Sequence, residues 1–312
     1  MRRRNRLVLG GSTMIIVSGV AMSTVTSCSN ETPADQPAQS LESVVSRVVE
    51  ASPNRDSTTY ETPSRGTAAA VASNVAELLS TGGVGHPFDS YELQRVTVSD
   101  RAAGSGADAD MSALVEGGDP TAGNGLYVVR NNPDVHSPMI VQIPHPVADQ
   151  YTERMGTELF ATTDARLFML AGAHRRAGDD SADVAHRSDT TFAAVNDAVV
   201  QKGMTVVQIH GFSSEKHDDY GDIVLSSTVS EPSPAVRRLD EALNDHGFDT
   251  CTYDGDKCKD LAATTNVQAI AARARGADFI HIEVDRDIRK DESERRELVR
   301  VITESLRASG IG

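Results

Sequence analysis

The run Pro138-Met-Ile-Val-Gln-Ile-Pro144 leads directly into His145, and the run Met204-Thr-Val-Val-Gln-Ile209 leads into His210. Short apolar, β-branched runs of this length, separated by helix-length amphipathic segments, are typical of buried strands in a parallel α/β sheet. Ligands of such sheets bind outside the carboxyl ends of the strands. The two histidines are therefore expected at one edge of the sheet, at the place where a site would form.

Two more apolar runs end in the same way. Arg166-Leu-Phe-Met-Leu-Ala-Gly172 is followed by His174 and Arg175. Asp278-Phe-Ile-His-Ile282 delivers Glu283, with Arg286 just beyond it. Four runs that all end on residues capable of catalysis predict a metal-hydrolase site at the sheet edge.

The alternation of strand-like and helix-like segments predicts a single α/β domain, a three-layer α/β/α sandwich with a mostly parallel sheet. Strands are predicted at 91–98, 125–130, 139–143, 167–170, 205–209, 222–225, 250–253 and 279–284. Helices are predicted at 41–51, 68–79, 150–161, 190–202, 235–246, 267–275 and 292–308. The segment Ala102 to Asn124, rich in Gly, Ala and Asp, is predicted to be a loop.

The composition excludes some partners. The 312 residues carry a net charge of −15, which argues against nucleic acid because its phosphates need Lys and Arg. The same charge argues against docking on an anionic membrane. Hydrophobic residues make up 39% of the chain, enough to build a core, although aromatic residues make up only 4%.

The first 28 residues are predicted to be a lipoprotein signal peptide. Four arginines among residues 2–6 precede an uncharged, largely apolar stretch, Leu7 to Met22, too short for a confident membrane span. Val25-Thr26-Ser27-Cys28 resembles a bacterial lipobox, in which the Cys receives acyl chains such as palmitate. An ordinary cleaved signal peptide is the alternative, and the export route stays open. We expect an extracytoplasmic protein, lipid-anchored to the bacterial cell membrane.

Residues 29–66 lack a hydrophobic period and are rich in Ser, Thr, Pro, Ala and Glu, so they are predicted to be a flexible tether; residues 67–312 form the α/β domain. Cys251 and Cys258 bracket the turn signal Asp254-Gly255. Outside the cell disulfides persist, so these two cysteines are predicted to form one. A metal site is the less favoured alternative, since two cysteines are too few ligands.

His145, Asp149 and His210 have the composition of a catalytic zinc site, two His and one carboxylate with an open fourth position. A Zn²⁺ ion there would lower the pKa of a water towards about 7 and polarise a carbonyl. Glu283 would then be the general base and later the acid. Arg175 or Arg286 would bind a substrate carboxylate in bidentate fashion.

Several of these residues also have a plainer structural interpretation. Asp149 is a good N-cap for a helix that begins at Gln150, and Glu153 is the rival carboxylate ligand. His145-Pro146 could be a turn, and His210-Gly211 a hydrogen-bonded strand end. Glu283 and His281 are two positions apart and lie on the same face of their predicted strand, and an exposed edge strand would account for both polar residues. Asp183 and His186 lie in a polar loop, where they could cap, be solvated or take part in the site.

Taken in order, four motifs resemble the N-formylglutamate amidohydrolase and poly-γ-glutamate hydrolase group of the zinc carboxypeptidase-like fold. They are Ile143-Pro-His145, Ala171-Gly-Ala-His-Arg175, Val207-Gln-Ile-His-Gly211 and Ile282-Glu-Val-Asp-Arg286. The resemblance covers residues 139 to the C-terminus. It implies that His145, the carboxylate after it and His210 hold one zinc, that Glu283 is the catalytic carboxylate, and that Arg175 and Arg286 bind a substrate carboxylate.

The expected function is a zinc-dependent hydrolase that cleaves an amide bond of γ-glutamyl or N-acyl-amino-acid type. Its substrate would be an acidic peptide or envelope polymer. The alternative is a binding lipoprotein of the same fold that captures a carboxylate ligand without cleaving it. The residues assigned to the ligand are His174, Arg175, Arg286 and His186.

Overall fold

The structure is a computed structural model that describes residues 38–81, 91–98, 111–118, 121–131, 137–217 and 219–312. Its strands are β1 (Gln39–Ser40), β2 (Tyr91–Thr97), β3 (Met111–Glu116), β4 (Leu126–Arg130), β5 (Met139–Ile143), β6 (Leu167–Leu170), β7 (Thr205–Phe212), β8 (Ile223–Ser226), β9 (Thr250–Thr252) and β10 (Asp278–Asp285). Its α-helices are α1 (Leu41–Ala51), α2 (Arg65–Thr81), α3 (Thr152–Thr162), α4 (Thr191–Val199), α5 (Pro234–Asp245), α6 (Val267–Ala274), α7 (Arg286–Lys290) and α8 (Glu292–Ala308).

The strands form one sheet in the order β1-β2-β3-β4-β6-β5-β7-β10-β8-β9. Five of the nine pairings are parallel, and they include those that join the central strands β6, β5, β7 and β10. Antiparallel pairings join the strands β2, β3 and β4 to one side of this centre, through β6, and β8 to the other side, through β10. The predicted single α/β domain with a mostly parallel sheet is confirmed.

Helices cover both faces of the sheet, because each face of the central strands is apolar over most of its length. Helices α1, α3, α5 and α8 bury one face, which includes Val207 and Ile209. Helices α2, α4 and α6 bury the other, which includes Ile140 and Val206. The three predicted layers follow from this packing.

The prediction of a loop over Ala102 to Asn124 is wrong for the middle of this segment. Residues Met111–Glu116 form β3, which lies between β2 and β4 and is buried along its whole length. Glycines and aspartates on both sides of this six-residue run hide its strand character in the sequence. Two long antiparallel partners impose it in the fold.

The domain begins earlier than the sequence predicts. β1 pairs with β2, and α1 buries Leu41, Val44 and Val45 in the main core. Tyr60 packs between Ala173 and Ala177. The described part of the predicted tether is therefore part of the folded domain, because α1 carries an apolar face that the composition of the whole segment obscures.

The predicted bond between Cys251 and Cys258 is present, with the two Cα atoms 6.3 Å apart. The predicted signal peptide, Cys28 and the first part of the predicted tether lie outside the described residues. Among the helices that the structure does describe, none combines the length and the apolar character that a membrane crossing requires.

Candidate metal centre

One face of the central strands changes from apolar to polar towards their carboxyl ends. Side chains alternate between the two faces of a strand, so every second residue shares this face. From the apolar to the polar end, these residues are Val206, Gln208 and His210 on β7, and Phe279, His281 and Glu283 on β10. The polar members are buried, so water does not solvate them and each needs a partner.

The pairing of the strands aligns this polar face. Gln208 is the register partner of both Gln142 and His281, and His210 is the partner of Glu283. Two rows of side chains result. The inner row is Gln142, Gln208 and His281, and the outer row, nearer the carboxyl ends of the strands, is His210 and Glu283. Strand β10 lies between β7 and β8, so the interpretation of Glu283 as part of an exposed edge strand is wrong.

His145, Asp149 and His210 converge on one point. Asp149 Oδ2 lies 3.5 Å from His145 Nδ1 and 3.6 Å from His210 Nδ1. Ligand atoms of a tetrahedral zinc, bound at 2.0–2.2 Å, stand about 3.4 Å from one another. The separations therefore fit a metal ion better than they fit direct hydrogen bonds. His145 Nδ1 is buried and has no hydrogen-bond partner among the described residues, as a metal-ligating nitrogen requires.

A tight turn after β5 places Asp149 in this group. The backbone N–H of Asp149 donates to the carbonyl of His145 at 2.8 Å, and Tyr151 adopts a left-handed φ of 74°. The helix begins only at Thr152, and its cap residue Tyr151 makes no side-chain capping bond. The interpretation of Asp149 as an N-cap is therefore wrong, and its carboxylate faces the two histidines instead.

Glu153, the rival carboxylate, lies elsewhere. Its side chain lines a cleft between α1, α3 and α8, together with Arg154 and Arg295. It is absent from both groups of described side chains whose atoms could share a metal. Asp149 is the carboxylate that accompanies the histidines.

Asp183 holds the far side of the His145 ring. Its Oδ1 lies 3.0 Å from His145 Nε2, while its Oδ2 accepts from Arg175 at 2.7 Å and lies 3.1 Å from His186 Nδ1. Burial favours the neutral form of Asp183, but His145 and His186 outweigh it and lower the pKa of Asp183. An ionised Asp183 that accepts from Nε2 leaves Nδ1 of His145 as the nitrogen that faces Asp149.

The two histidines differ electrostatically. Burial by itself would lower the pKa of His145, but the nearby carboxylates of Asp149 and Asp183 outweigh burial and raise it. Burial lowers the pKa of His210 to about 4, although Asp149 opposes the shift. His210 is thus neutral at physiological pH, as a metal ligand must be.

Glu283 stands beside this group with an unsatisfied oxygen. Its Oε1 lies 3.8 Å from His281 Nε2, and its buried Oε2 has no hydrogen-bond partner in the described part of the chain. Burial, and then the charge of Asp149, raise the pKa of Glu283 well above its ordinary value. A carboxyl with a raised pKa and a free oxygen can hold and exchange a proton, which is the property of a general acid–base.

A cavity of about 1170 Å³ is lined by Arg286, Arg289, His174 and residues from two loops. It adjoins the site through Ala148, Gln150 and Gly211, the chain neighbours of Asp149 and His210. One loop, residues 54–57, contributes Arg55, and the other contributes Lys216. Although the chain carries a net charge of −15, four of the five charged side chains that line this cavity are cationic, Arg55, Lys216, Arg286 and Arg289, and the fifth is Asp56. Such a reversal of charge favours an anionic ligand.

The structure separates the four predicted ligand-binding residues into two pairs. Arg286 is exposed, and it lines the cavity with His174. Arg175 and His186 both contact Asp183 and are not among the residues that line the cavity. Arg175 therefore lies behind His145, where its charge is matched by Asp183.

Arg289 is a residue of the site that the sequence did not reveal. It is buried, and it donates to the carbonyls of Val284, Phe212 and Gln150, which lie at the ends of β10 and β7 and in the turn after β5. A Cβ atom at position 211 would overlap its guanidinium, so only glycine at this position leaves Arg289 where it is. Arg289 thus joins three segments that carry site residues.

The buried amides were also missed. Gln142, Gln208, Asn196 and Asn266 are hydrogen-bonded to one another and are fully or almost fully buried. A signal for them exists in the sequence, because Val-Gln-Ile occurs both at 141–143 and at 207–209, just before His145 and His210. A glutamine inside an apolar strand needs partners, and that requirement points to a buried network.

No family model and no curated protein matches the chain. Several solved structures resemble it, among them the following three. A gene product of Agrobacterium tumefaciens has a TM-score of 0.42 at 12% identity over 56% of this chain and 91% of that chain. A bacteriophage poly-γ-glutamate hydrolase has a TM-score of 0.41 at 11% identity, over 73% of this chain and 93% of that chain. A candidate carboxypeptidase A from Shewanella denitrificans has a TM-score of 0.38 at 12% identity, over 76% of this chain and 67% of that chain. At these values none of the three says what this chain acts on.

Proposed function

We propose that this chain is a metal-dependent hydrolase that cleaves an amide bond in an anionic substrate. The observation that carries the proposal is the convergence of His145, Asp149 and His210 on one point, with Glu283 beside them and an adjoining cavity whose charged side chains are mostly cationic. Two imidazoles and one carboxylate at near-tetrahedral separations favour Zn²⁺. A bound Zn²⁺ would polarise the scissile carbonyl and acidify a water.

The residues of the chain divide the remaining work. Glu283 Oε2 has no other partner among the described residues, so it can take a proton from the attacking water and return it to the leaving amine. Asp183 and Gln208 each contact the Nε2 atom of one histidine, His145 and His210 respectively, and hold the two rings in place. Arg286 is placed to bind a carboxylate of the substrate, because it is exposed in the cavity wall.

The class of substrate follows from the cavity. Cationic groups on both loops and on α7 favour a substrate with more than one carboxylate, such as an acidic peptide or an envelope polymer with γ-glutamyl or N-acyl-amino-acid linkages. The net charge of −15 argues against nucleic acid as a partner.

We also propose that the protein is exported and lipid-anchored through Cys28, on the outer side of the bacterial cell membrane. The support is the basic start of the chain, the apolar stretch Leu7 to Met22 and the lipobox-like Val25-Thr26-Ser27-Cys28. The Cys251–Cys258 disulfide agrees with an oxidising compartment.

Metal content and hydrolysis, measured together, test the function. We expect about one Zn²⁺ per chain. We also expect release of amine from γ-glutamyl or N-acyl dipeptides, but less from analogues whose free carboxylates are amidated. His210→Ala should abolish both properties. Stoichiometric metal with tight binding and no cleavage would favour the binding-protein alternative, and a purified protein without metal would contradict the proposal.

A further inference from the structure

A chain of hydrogen bonds crosses the buried end of the sheet and ends on His210. Asn266 Oδ1 accepts from the backbone N–H of Ala269 at 3.0 Å, and Asn266 Nδ2 donates to Gln208 Oε1 at 2.7 Å. The same oxygen of Gln208 lies 2.8 Å from His210 Nε2. On the other side Gln208 Nε2 donates to Gln142 Oε1 at 2.9 Å.

The first link fixes the direction of the whole chain. A backbone N–H can only donate, so the Asn266 atom that it meets must be the amide oxygen. The remaining amide group of Asn266 is then the donor, and the Gln208 atom that it meets must be an oxygen as well. This orientation follows from the helix cap at the start of α6, where Asn266 is the N-cap residue.

The orientation of Gln208 decides the state of His210. An amide oxygen cannot donate, so the His210 nitrogen that faces it must carry the hydrogen. Neutral imidazole has one N–H and one lone pair, so the lone pair is left on Nδ1. Nδ1 is the atom that lies 3.6 Å from Asp149 Oδ2, on the side where a metal would bind.

We propose that Asn266 and Gln208 are positioning residues that set the tautomer of His210 from the helix cap of α6. The far end of the chain is consistent with this direction, since Gln142 Nε2 donates to Asn196 Oδ1 at 2.9 Å. All four amide residues are at most 1% exposed, so water does not compete for these bonds. The role in metal binding rests on the proposed function, whereas the tautomer itself does not.

A matched pair of variants tests this relay, the chain of hydrogen bonds from Asn266 through Gln208 to His210. Asn266→Asp keeps an oxygen for the N–H of Ala269 but offers no donor, so Gln208 must turn its NH₂ towards the new carboxylate and towards His210. The hydrogen of His210 then moves to Nδ1. Gln208→Glu introduces the same charge into the same buried chain, yet a carboxylate there still accepts from His210 Nε2 and from Asn266.

The readout is the nitrogen chemical shifts of His210 in metal-free protein, measured by NMR at a pH where the ring is neutral. We expect the Nε2–H form in the parent and in Gln208→Glu, and the Nδ1–H form in Asn266→Asp. Zn²⁺ affinity, measured against a competing chelator, should be about 10- to 100-fold weaker in Asn266→Asp than in Gln208→Glu.

Equal effects of the two variants on the tautomer would overturn the proposal, because a merely structural role predicts no difference between them. An Nδ1–H form in the parent protein would also overturn it, and this measurement needs no variant to fold. If the tautomers follow the expectation but no form binds Zn²⁺, the relay stands and the proposed function fails.

Discussion

His210 and Glu283 are direct register partners in the parallel pair β7 and β10, so their side chains leave the sheet side by side on the same face. His210 turns its Nδ1 towards Asp149, and Glu283 Oε2 has no hydrogen-bond partner among the residues that the structure describes. A potential metal ligand and a potential proton carrier are thus placed by one backbone pairing. Their separation does not depend on any loop.

The first prediction separates metal binding from proton transfer. Glu283→Gln should keep the metal and lose hydrolysis by a factor on the order of 10² to 10⁴, because an amide has the shape of the carboxyl but cannot take a proton from water. Metal analysis and steady-state rates measure the two properties. Glu153→Gln, in the cleft next to α1, is the matched control and should change neither. Equal activity of the Glu283 variant and the parent would exclude Glu283 as the base.

The second prediction concerns stability and pH in metal-free protein. Burial, and then Asp149, raise the pKa of Glu283 well above 4.5. When the pH is below 4.5, the ordinary pKa of a glutamate, the carboxyl is protonated in both the folded and the unfolded chain. As the pH rises above it, the unfolded chain ionises first, so the parent loses stability relative to Glu283→Gln.

The measurement is urea unfolding in the presence of a chelator at about pH 4 and about pH 8. The stability advantage of Glu283→Gln should grow towards the higher pH. Glu241→Gln, at an exposed position of α5, provides the comparison for loss of a carboxylate without burial. An advantage that stays constant between the two pH values would show that Glu283 does not titrate as its burial implies.

The third prediction concerns the cavity. Arg286→Ala should raise KM for substrates with a free carboxylate by about 10-fold, the equivalent of one charge-assisted hydrogen bond worth about 1.5 kcal/mol. KM for the amidated analogue should not change. Arg237→Ala, on α5 and paired with Glu231, removes the same charge elsewhere. A rise in KM of equal size for both substrates would assign Arg286 to packing instead of recognition.

The fourth prediction concerns the disulfide. It closes a short loop, because Cys251 and Cys258 are seven residues apart in the sequence. Replacing both cysteines by serine should lower the free energy of unfolding by about 2–3 kcal/mol, because the unfolded chain regains the entropy of the open loop. Denaturant unfolding of the parent with and without reductant gives an independent value. If the free energy of unfolding stays the same in both experiments, the disulfide does not stabilise the fold and the prediction is wrong.

The fifth prediction concerns the anchor. Cys28→Ala should release the protein from the membrane fraction or leave the precursor unprocessed, because no thiol remains to be acylated. Cell fractionation and the mass of the mature N-terminus report the outcome. Cys258→Ser leaves Cys28 in place and should not affect anchoring. A Cys28 variant that matures and fractionates like the parent would show that the lipobox-like segment is not one.

Much of the fold could be predicted because its central strands are short apolar runs whose character is local. Met139–Ile143 and Leu167–Leu170 have the bounds predicted from the sequence, as does helix α8. β3 could not be predicted, since its six residues become a strand only by pairing with the strands before and after it, each separated from it by a loop. The packing of α1 depended in the same way on the core that it joins.

The candidate site divides along the same line. The sequence by itself determined that His145, His210 and Glu283 follow or end buried strands, because hydrophobic periodicity is a local property. Only the tertiary structure decided that Asp149 faces the histidines instead of capping a helix, and that Asp183 lies behind His145. Strand order and register depend on contacts between residues far apart in the chain, and they bring His145, His210 and Glu283 to one place, where the turn after β5 adds Asp149.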